Sequence, residues 1–538
     1  MKSIKHIGLV IFLLGLVIFT STIFLGSFGM SEKELDDYIS QKDYKSEIIK
    51  QELSIAIVGK ELNIFEFSAA VRNAFETSNQ YYDKLIAKYN AEKNWKKKGE
   101  QYQYKIFGNP HTLSYEIAKK SGNGLVKGNS GLFWLLTFGL GILGALLYIL
   151  PNVILLGKPG IKNDHIYHKS ATNRGLIAWL VLVYLVVFYL VLYFMPDYVV
   201  NWTYILDPIS KSLNGGEASQ WFVYGFLYCV IMLVMGVRMY IKYRHNKYQI
   251  VRTTSVLFFQ IVFAFLIPEI MVSLGKPGYD FKNAFPLDYD FFFEWNLKSL
   301  TESGSIGIFI LVWGTLLTLV IVPVMVYFFG KRWYCSWVCG CGGLAETLGD
   351  PYRQHSDKSL NAWKLERWLI HSVLLFSLIM TIVTLYCYFS GANSFLGINS
   401  QWIKDTYSFL IGAWFAGVIG TGFYPIFGNR VWCRFGCPLA AYLGLVQRFK
   451  SRFRITTNGG QCISCGNCST YCEQGIDVRA YAQKGENIVR SSCVGCGICS
   501  AVCPRGVLKL ENGPESGRIN SKEILLGNDV DLMQLLNK

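Results

Sequence analysis

Eight of the chain's fifteen cysteines stand in two short runs: Cys462, Cys465, Cys468 and Cys472, then Cys493, Cys496, Cys499 and Cys503 followed by Pro504. In each run two residues separate the first three thiols and three residues precede the fourth. Three thiolates so closely spaced can wrap three irons of one [4Fe–4S] cube, with the fourth ligand crossing from the other run. The pattern assigns Cys462, Cys465, Cys468 and Cys503 to one cluster, and Cys493, Cys496, Cys499 and Cys472 to the other. Gly466, Gly495 and Gly497 supply the tight turns. Structural zinc prefers pairs of cysteines parted by a longer spacer, and disulfides are disfavoured in a reducing compartment, so neither fits as well. Glu473 stands where a proline usually follows the fourth cysteine. That change bears on the potential of the second cluster and leaves its ligation intact.

A second cysteine pattern lies upstream. Cys335, Cys339 and Cys341 sit in "KRWYCSWVCGCGG", directly behind an apolar run ending at Phe329, and Cys433 and Cys437 sit in "NRVWCRFGCPLAAYLG". If both stretches continue as helix, each i, i+4 pair shares one face. Pro438 would also suit a helix start, which places Cys433 and Cys437 on a turn feeding a re-entrant helix. Either geometry can bring two thiol pairs together, with Arg332, Arg430 and Arg434 lowering the thiol pKa values. Four thiolates suit an iron–sulfur cluster or a soft metal such as Cu(I) or Zn, with Cys341 as a spare ligand. The other readings are a redox-active dithiol pair and plain packing. Cys229 and Cys387 read as small apolar fillers within spans. Arg238, at the end of a span, reads as a side chain snorkelling to the interface.

These thiols must be positioned by membrane helices. The 538 residues are 51% hydrophobic and 15% aromatic, too apolar for an ordinary soluble chain. The net charge of +15 then belongs to cytoplasmic loops rather than to nucleic-acid binding. A span needs about 18 or more mostly apolar residues. Eight stretches qualify: 7–29, 131–156, 175–196, 218–240, 253–274, 305–329, 367–390 and 406–427, the last short and glycine-rich. Loops 157–174 and 241–252 are basic, whereas 275–304 carries Asp280, Asp288, Asp290, Glu294 and Glu302. With basic loops inside, both termini and both upstream cysteine motifs fall on the cytoplasmic side.

The expected fold is a polytopic α-helical membrane protein of about eight transmembrane helices. To it are added a C-terminal cytoplasmic two-cluster ferredoxin-like α+β domain and a small, mostly helical outer domain. The expected division is 1–29, an N-terminal membrane anchor lacking a signal-peptide cleavage site; 30–130, the extracytoplasmic domain; 131–274, four spans; 305–441, a transmembrane segment with both upstream motifs at its cytoplasmic face; 455–512, the ferredoxin domain; and 513–538, a tail.

"GKRWYCSWVCGCGGLAETLGD", then "GNRVWCRFGCPLAAYLGL", then the two cluster-binding runs, resemble the C-terminal half of the NapH/NosR-type membrane polyferredoxins over about residues 305–512. The resemblance implies electron transfer in a bacterial inner membrane, between the quinone pool or a cytoplasmic donor and a respiratory or extracytoplasmic partner. It equally admits an assembly factor that reduces a metal or thiol while a respiratory enzyme matures. Two departures stand out: Gly340 replaces the family's proline, and Cys341 is additional. No Ser/Thr-rich flavin-attachment motif occurs in 30–130, so no covalent flavin is expected, and no residue is read as catalytic.

Overall fold

A computed structural model describes residues 1–42, 46–92, 95–106, 108–155, 174–458 and 461–512. The basic loop expected at 157–174, except Arg174, and the stretch 513–538 lie outside the described residues. Among the described residues seven helices are long and apolar enough to cross a membrane: Lys2–Phe24, Ser130–Leu155, Leu176–Phe194, Gln220–Tyr243, Lys247–Ser273, Ser305–Phe329 and Leu360–Ser390.

The eighth expected span differs. Residues 400–427 are helical, but Ser408–Ile419 is wound as π-helix, and the run breaks at Phe423 behind Gly420 and Gly422. The helix runs unbroken over residues 400–422, so its polar start, with Lys404 and Asp405, and its glycines at 412, 417, 420 and 422, rather than its length, set it apart from the seven strongly apolar helices. The basic loop read over 241–252 is also shorter than expected. Helices Gln220–Tyr243 and Lys247–Ser273 leave only residues 244–246 between them, so Lys242 and Arg252 sit on helix ends.

The chain divides into two compact units. The first comprises Met1–Tyr148 and Leu190–Leu227. Its helices start where capping chemistry dictates. Ser31 with Glu34, and Asn63 with Glu66, form reciprocal capping boxes, Ser46 caps Glu47–Ile57, and Asn109 precedes Pro110 at the first turn of Pro110–Ser121. Leu35, Ile49, Leu53, Ile57, Phe67 and Val71 are buried between them. This helical layer is tied to residues 196–213 by ion pairs. Asp197 receives Arg72 and His111, and Lys119 Nζ lies 2.8 Å from Asp207 Oδ1. The N-terminal helix packs by backbone contact: a Cβ at Gly144 would lie 2.3 Å from Phe12 N, and one at Gly8 would lie 2.8 Å from Gly144 O. Small residues of this kind let membrane helices approach closely.

The second unit comprises Ile149–Tyr189 and Tyr228–Lys538. Span Ser305–Phe329 ends at Gly330, whose φ of +72° turns the chain into the first upstream motif. Helix Pro438–Lys450 runs alongside that span: Tyr442 Oη donates to Thr318 O at 3.2 Å, and Arg452 N to Tyr327 O at 2.8 Å. Its Cys437 end therefore lies near mid-span. The irregular segment 279–293 reaches the same depth. Trp313 Nε1 donates to Phe281 O at 2.8 Å, and Tyr334 Oη donates to Lys282 O at 2.7 Å. Backbone without regular pairing is tolerated at that depth because protein surrounds it. Downstream, strand Arg454–Thr457 pairs antiparallel with Leu508–Glu511 and closes the small cysteine-rich domain.

The glycine contact is testable. Gly144→Val should destabilise the protein by about 1–3 kcal/mol through overpacking, seen as a lower thermal unfolding midpoint in detergent. Gly131→Ala, where a Cβ meets nothing within 4 Å, should hold or raise that midpoint.

Candidate functional site

The cysteine-rich domain repeats one local design twice. Gly466 and Gly497, at φ +78° and +74°, precede the short helices Asn467–Thr470 and Ile498–Ala501. Each helix thus starts beside the third cysteine of its run. Cys462, Cys465, Cys468 and Cys503 line a single cavity together with Ile463, Arg479 and Arg505. Cys493, Cys496, Cys499 and Cys472 form the second group: burial raises the Cys499 thiol pKa, and the neighbouring Cys496, Cys493 and Cys472 raise it further. A buried thiol set of this kind is favourable as thiolate only when a cation is bound.

The five upstream cysteines also come together. Cys335, Cys339, Cys433 and Cys437 belong to one buried cluster, and Cys341 packs against it. The two motifs share one turn. Cys339 N donates to Tyr334 O at 2.7 Å, and Cys437 N to Trp432 O at 2.9 Å, each across five residues. Each cysteine is then extended and caps a helix, Gly340–Thr347 and Pro438–Lys450. Helical continuation of both stretches is thereby corrected: Gly330 ends the span, and the turn alternative, with a helix re-entering at Pro438, is the one adopted. Gly340 takes the place of Pro438 without harm, since the first helical position needs no N–H partner. Gly342 permits the close crossing, because a Cβ there would lie 2.1 Å from Cys335 O.

Electrostatics around these thiols is uneven. A hydrogen bond from Cys341 pulls the Cys339 thiol down to about 6 against the opposing effect of burial, aided by the Gly342 amide, Lys282 and Arg430. Burial pushes Cys335 up to about 12. Ala440 N donates to Cys437 Sγ at 3.3 Å, and Arg430 Nη1 lies 3.7 Å from Cys433 Sγ. Of the three arginines expected to act on the thiols, only Arg430 faces them in these contacts. Arg332 stacks over Tyr248, Trp337 and Phe453, and Arg434 Nε binds Glu366 Oε2 at 2.8 Å.

Beside both groups lies a buried ion network that the sequence reading missed. Glu346 is held by Arg252, by Arg353 Nη2 at 2.5 Å and by Arg430 Nη2 at 2.7 Å. Glu473 receives Arg353 and, at 2.9 Å, Arg430 Nε. Asp350 takes Arg353 Nε at 2.8 Å, and Arg238 and Lys242 at 2.6 Å each. Arg238 is therefore an ion-pair partner and not a snorkelling side chain. Burial alone would raise the Glu346 carboxyl, but Arg252, Arg353 and Arg430 outweigh it and bring it down to about 2. Oxygens of Glu346 and Glu473 and the Cys496 sulfur all lie within 4.8 Å of one another. The network thus joins the first upstream motif, the second and the cysteine-rich domain. Its one visible signal in the sequence was Glu473 in the place of proline.

Comparison with known proteins finds iron–sulfur domains in the same stretches of chain. Residues 444–517 match a family described as a 4Fe-4S dicluster domain, and residues 311–359 and 410–456 match a 4Fe-4S binding domain. The chain is 27% identical over 192 residues to an Escherichia coli (strain K12) protein named as an electron transport protein, YccM, covering 34% of this chain and 52% of that one. It is 28% identical over 158 residues to the methylamine utilization ferredoxin-type protein MauN of Methylobacillus flagellatus, covering 29% and 53%. The chain spans about half the length of these relatives. No solved structure matches it. The matched regions are polyferredoxin-like and support an electron-transfer role through 4Fe-4S domains.

Removing one member of the ion network should be costly. Arg353→Met leaves Glu346, Asp350 and Glu473 short of a partner and should cost about 3–5 kcal/mol, measured by denaturant unfolding. Lys298→Met, which breaks the exposed pair with Glu294, should leave the unfolding curve in place.

Proposed function

We propose that this protein is a membrane-bound electron relay. Two [4Fe–4S] clusters are held in crossed fashion, one by Cys462, Cys465, Cys468 and Cys503 and one by Cys493, Cys496, Cys499 and Cys472. A further metal or iron–sulfur centre is held by Cys335, Cys339, Cys433 and Cys437, with Cys341 as a spare ligand. Such groups supply one-electron transfer when bound. The observation that carries the reading is the convergence of five cysteines from two distant motifs into one buried cluster that also takes in Val494 and packs against Cys496. The donor chemistry fits: five soft thiols, two of them at helix N-termini, with Arg430 and Lys282 favouring thiolate at Cys339.

The chain holds the two tail clusters on the cytoplasmic side of a bacterial inner membrane, with the five-cysteine centre deeper among the spans, eight crossings and both termini inside. Parity of contacts supports that count. The stretch after Ser305–Phe329 and the cysteine-rich domain share the ion network, so the chain crosses an even number of times between them. Leu360–Ser390 supplies one crossing, and residues 400–427 must supply the return; 28 residues at about 1.5 Å each suffice for a core about 30 Å thick. Similarly, the ion pairs Arg72–Asp197 and Lys119–Asp207 support residues 30–130 and 196–213 sharing one side, and loop charge supports that side being the outer one. Electrons then pass between a quinone or cytoplasmic redox protein and a respiratory or extracytoplasmic partner.

Metal content of purified variants tests the reading. Anaerobically reconstituted protein should carry about eight irons in its two tail clusters. Cys472→Ser should deplete the cluster of Cys493, Cys496 and Cys499. A variant lacking all eight tail cysteines should keep metal that disappears in Cys335→Ser or Cys433→Ser. Unchanged metal on adding the latter substitutions would make the upstream cysteines structural.

Orientation is tested separately. In intact cells a membrane-impermeant thiol reagent should label Glu61→Cys and spare Lys450→Cys. The opposite pattern would invert the topology.

A further inference from the structure

The two cluster-binding loops share a backbone and differ in what surrounds them. Ser464 and Gly495 occupy matching positions, each just before the second cysteine of its run, and adopt φ of +58° and +59°. At Gly495 a Cβ would lie 2.6 Å from Arg332 Cβ and 2.9 Å from the Phe453 ring, so only glycine fits. Ser464 is exposed and tolerates a side chain in the same conformation.

Four successive carbonyls of the second loop are held by side chains from outside the cysteine-rich domain. Gln447 Nε2 donates to Cys493 O at 2.9 Å, Ser336 Oγ to Val494 O at 2.7 Å, and Tyr248 Oη to Gly495 O at 2.8 Å. Gln249 Nε2 and Arg252 Nη1 each donate to Cys496 O at 2.8 Å. The first loop presents the opposite picture. Its cavity has exposed Ile463, Arg479 and Arg505 at the rim, and among the described residues its lining holds no carboxylate.

We propose that the two tail sites have fixed and different roles. The site of Cys493, Cys496, Cys499 and Cys472 is the proximal one, clamped against the five-cysteine group. The site of Cys462, Cys465, Cys468 and Cys503 is the distal terminal, over which a small acidic one-electron carrier protein docks, its carboxylates facing Arg479 and Arg505 and an apolar patch facing Ile463. Complementary charge around a small apolar centre steers encounter and fixes orientation. Each encounter moves one electron and no atom: the carrier is oxidised by one electron and the chain is reduced by the same one. This inference rests on the relay reading above.

The test uses the full chain in lipid nanodiscs with its clusters in place and reduced flavodoxin, an acidic flavoprotein, as the probe. Arg479→Glu/Arg505→Glu should slow cluster bleaching by flavodoxin about ten-fold or more at low salt, with the difference shrinking as salt rises. Bleaching by dithionite should be unchanged. An unaltered flavodoxin rate would overturn the docking edge. In a second arm, Gly495→Ser should raise protease release of the cysteine-rich domain about five-fold or more with its iron retained, while Ser464→Gly should not. Equal release by both would overturn the proximal assignment. A chain that binds no iron, or whose clusters take no electron from dithionite, would instead sink the relay reading itself.

Discussion

Three carboxylates, Glu346, Asp350 and Glu473, meet five cations, Arg238, Lys242, Arg252, Arg353 and Arg430, almost entirely out of water. Each ion would be costly to bury alone, by several kcal/mol even after relaxation. Together they are tolerable only in one arrangement, because each acid depends on cations from a different part of the chain. Arg252 comes from a membrane helix, Arg353 from the stretch behind the first upstream motif, Arg430 from the second motif, and Glu473 from the cysteine-rich domain. Apolar packing of the same volume could hold these pieces as firmly, but it would accept sliding. Charges in fixed pairs do not.

That restriction matters because relayed electrons demand fixed spacing rather than great stability. The hydrogen bonds to residues 493–496 act in the same sense. They seize backbone carbonyls, whose positions are set by the cysteine turns themselves, so the loop cannot shift without breaking several bonds together. The helix starts at Cys339 and Cys437 play a parallel part in the five-cysteine group: each fixes a sulfur at the mouth of a helix, where amide groups point toward it.

The sequence exposed what is local and concealed what is long-range. The two tail runs could be read because ligand spacing is a property of eleven consecutive residues, and seven spans because apolar length is likewise local. Residues 406–427 misled in detail, since composition does not reveal π winding or the break at Phe423. Arg238 was misread because a cation at a span end has a ready explanation in the interface, and its partner Asp350 lies more than a hundred residues away. Glu346 and Arg353 gave no signal in the sequence, because Glu346 draws Arg252 and Arg430 from distant stretches and Arg353 draws Glu473 from the cysteine-rich domain. Gly495 was read as a turn residue, which it is, but its contact with Arg332 could be seen only once the chain was folded. The turn at Cys437 was foreseeable from Pro438, whereas the equivalent turn at Cys339, with glycine in that place, was not.

The burial of the upstream thiols also constrains the order of biogenesis. Cys335, Cys339, Cys433 and Cys437 are each no more than 6% exposed, with Val494 seated among them and segment 279–293 packed on the same cluster. Only Cys341 of the five is partly exposed. A group held by those sulfurs would therefore have little room to exchange while the cysteine-rich domain is seated, and its loading would belong with assembly of the fold.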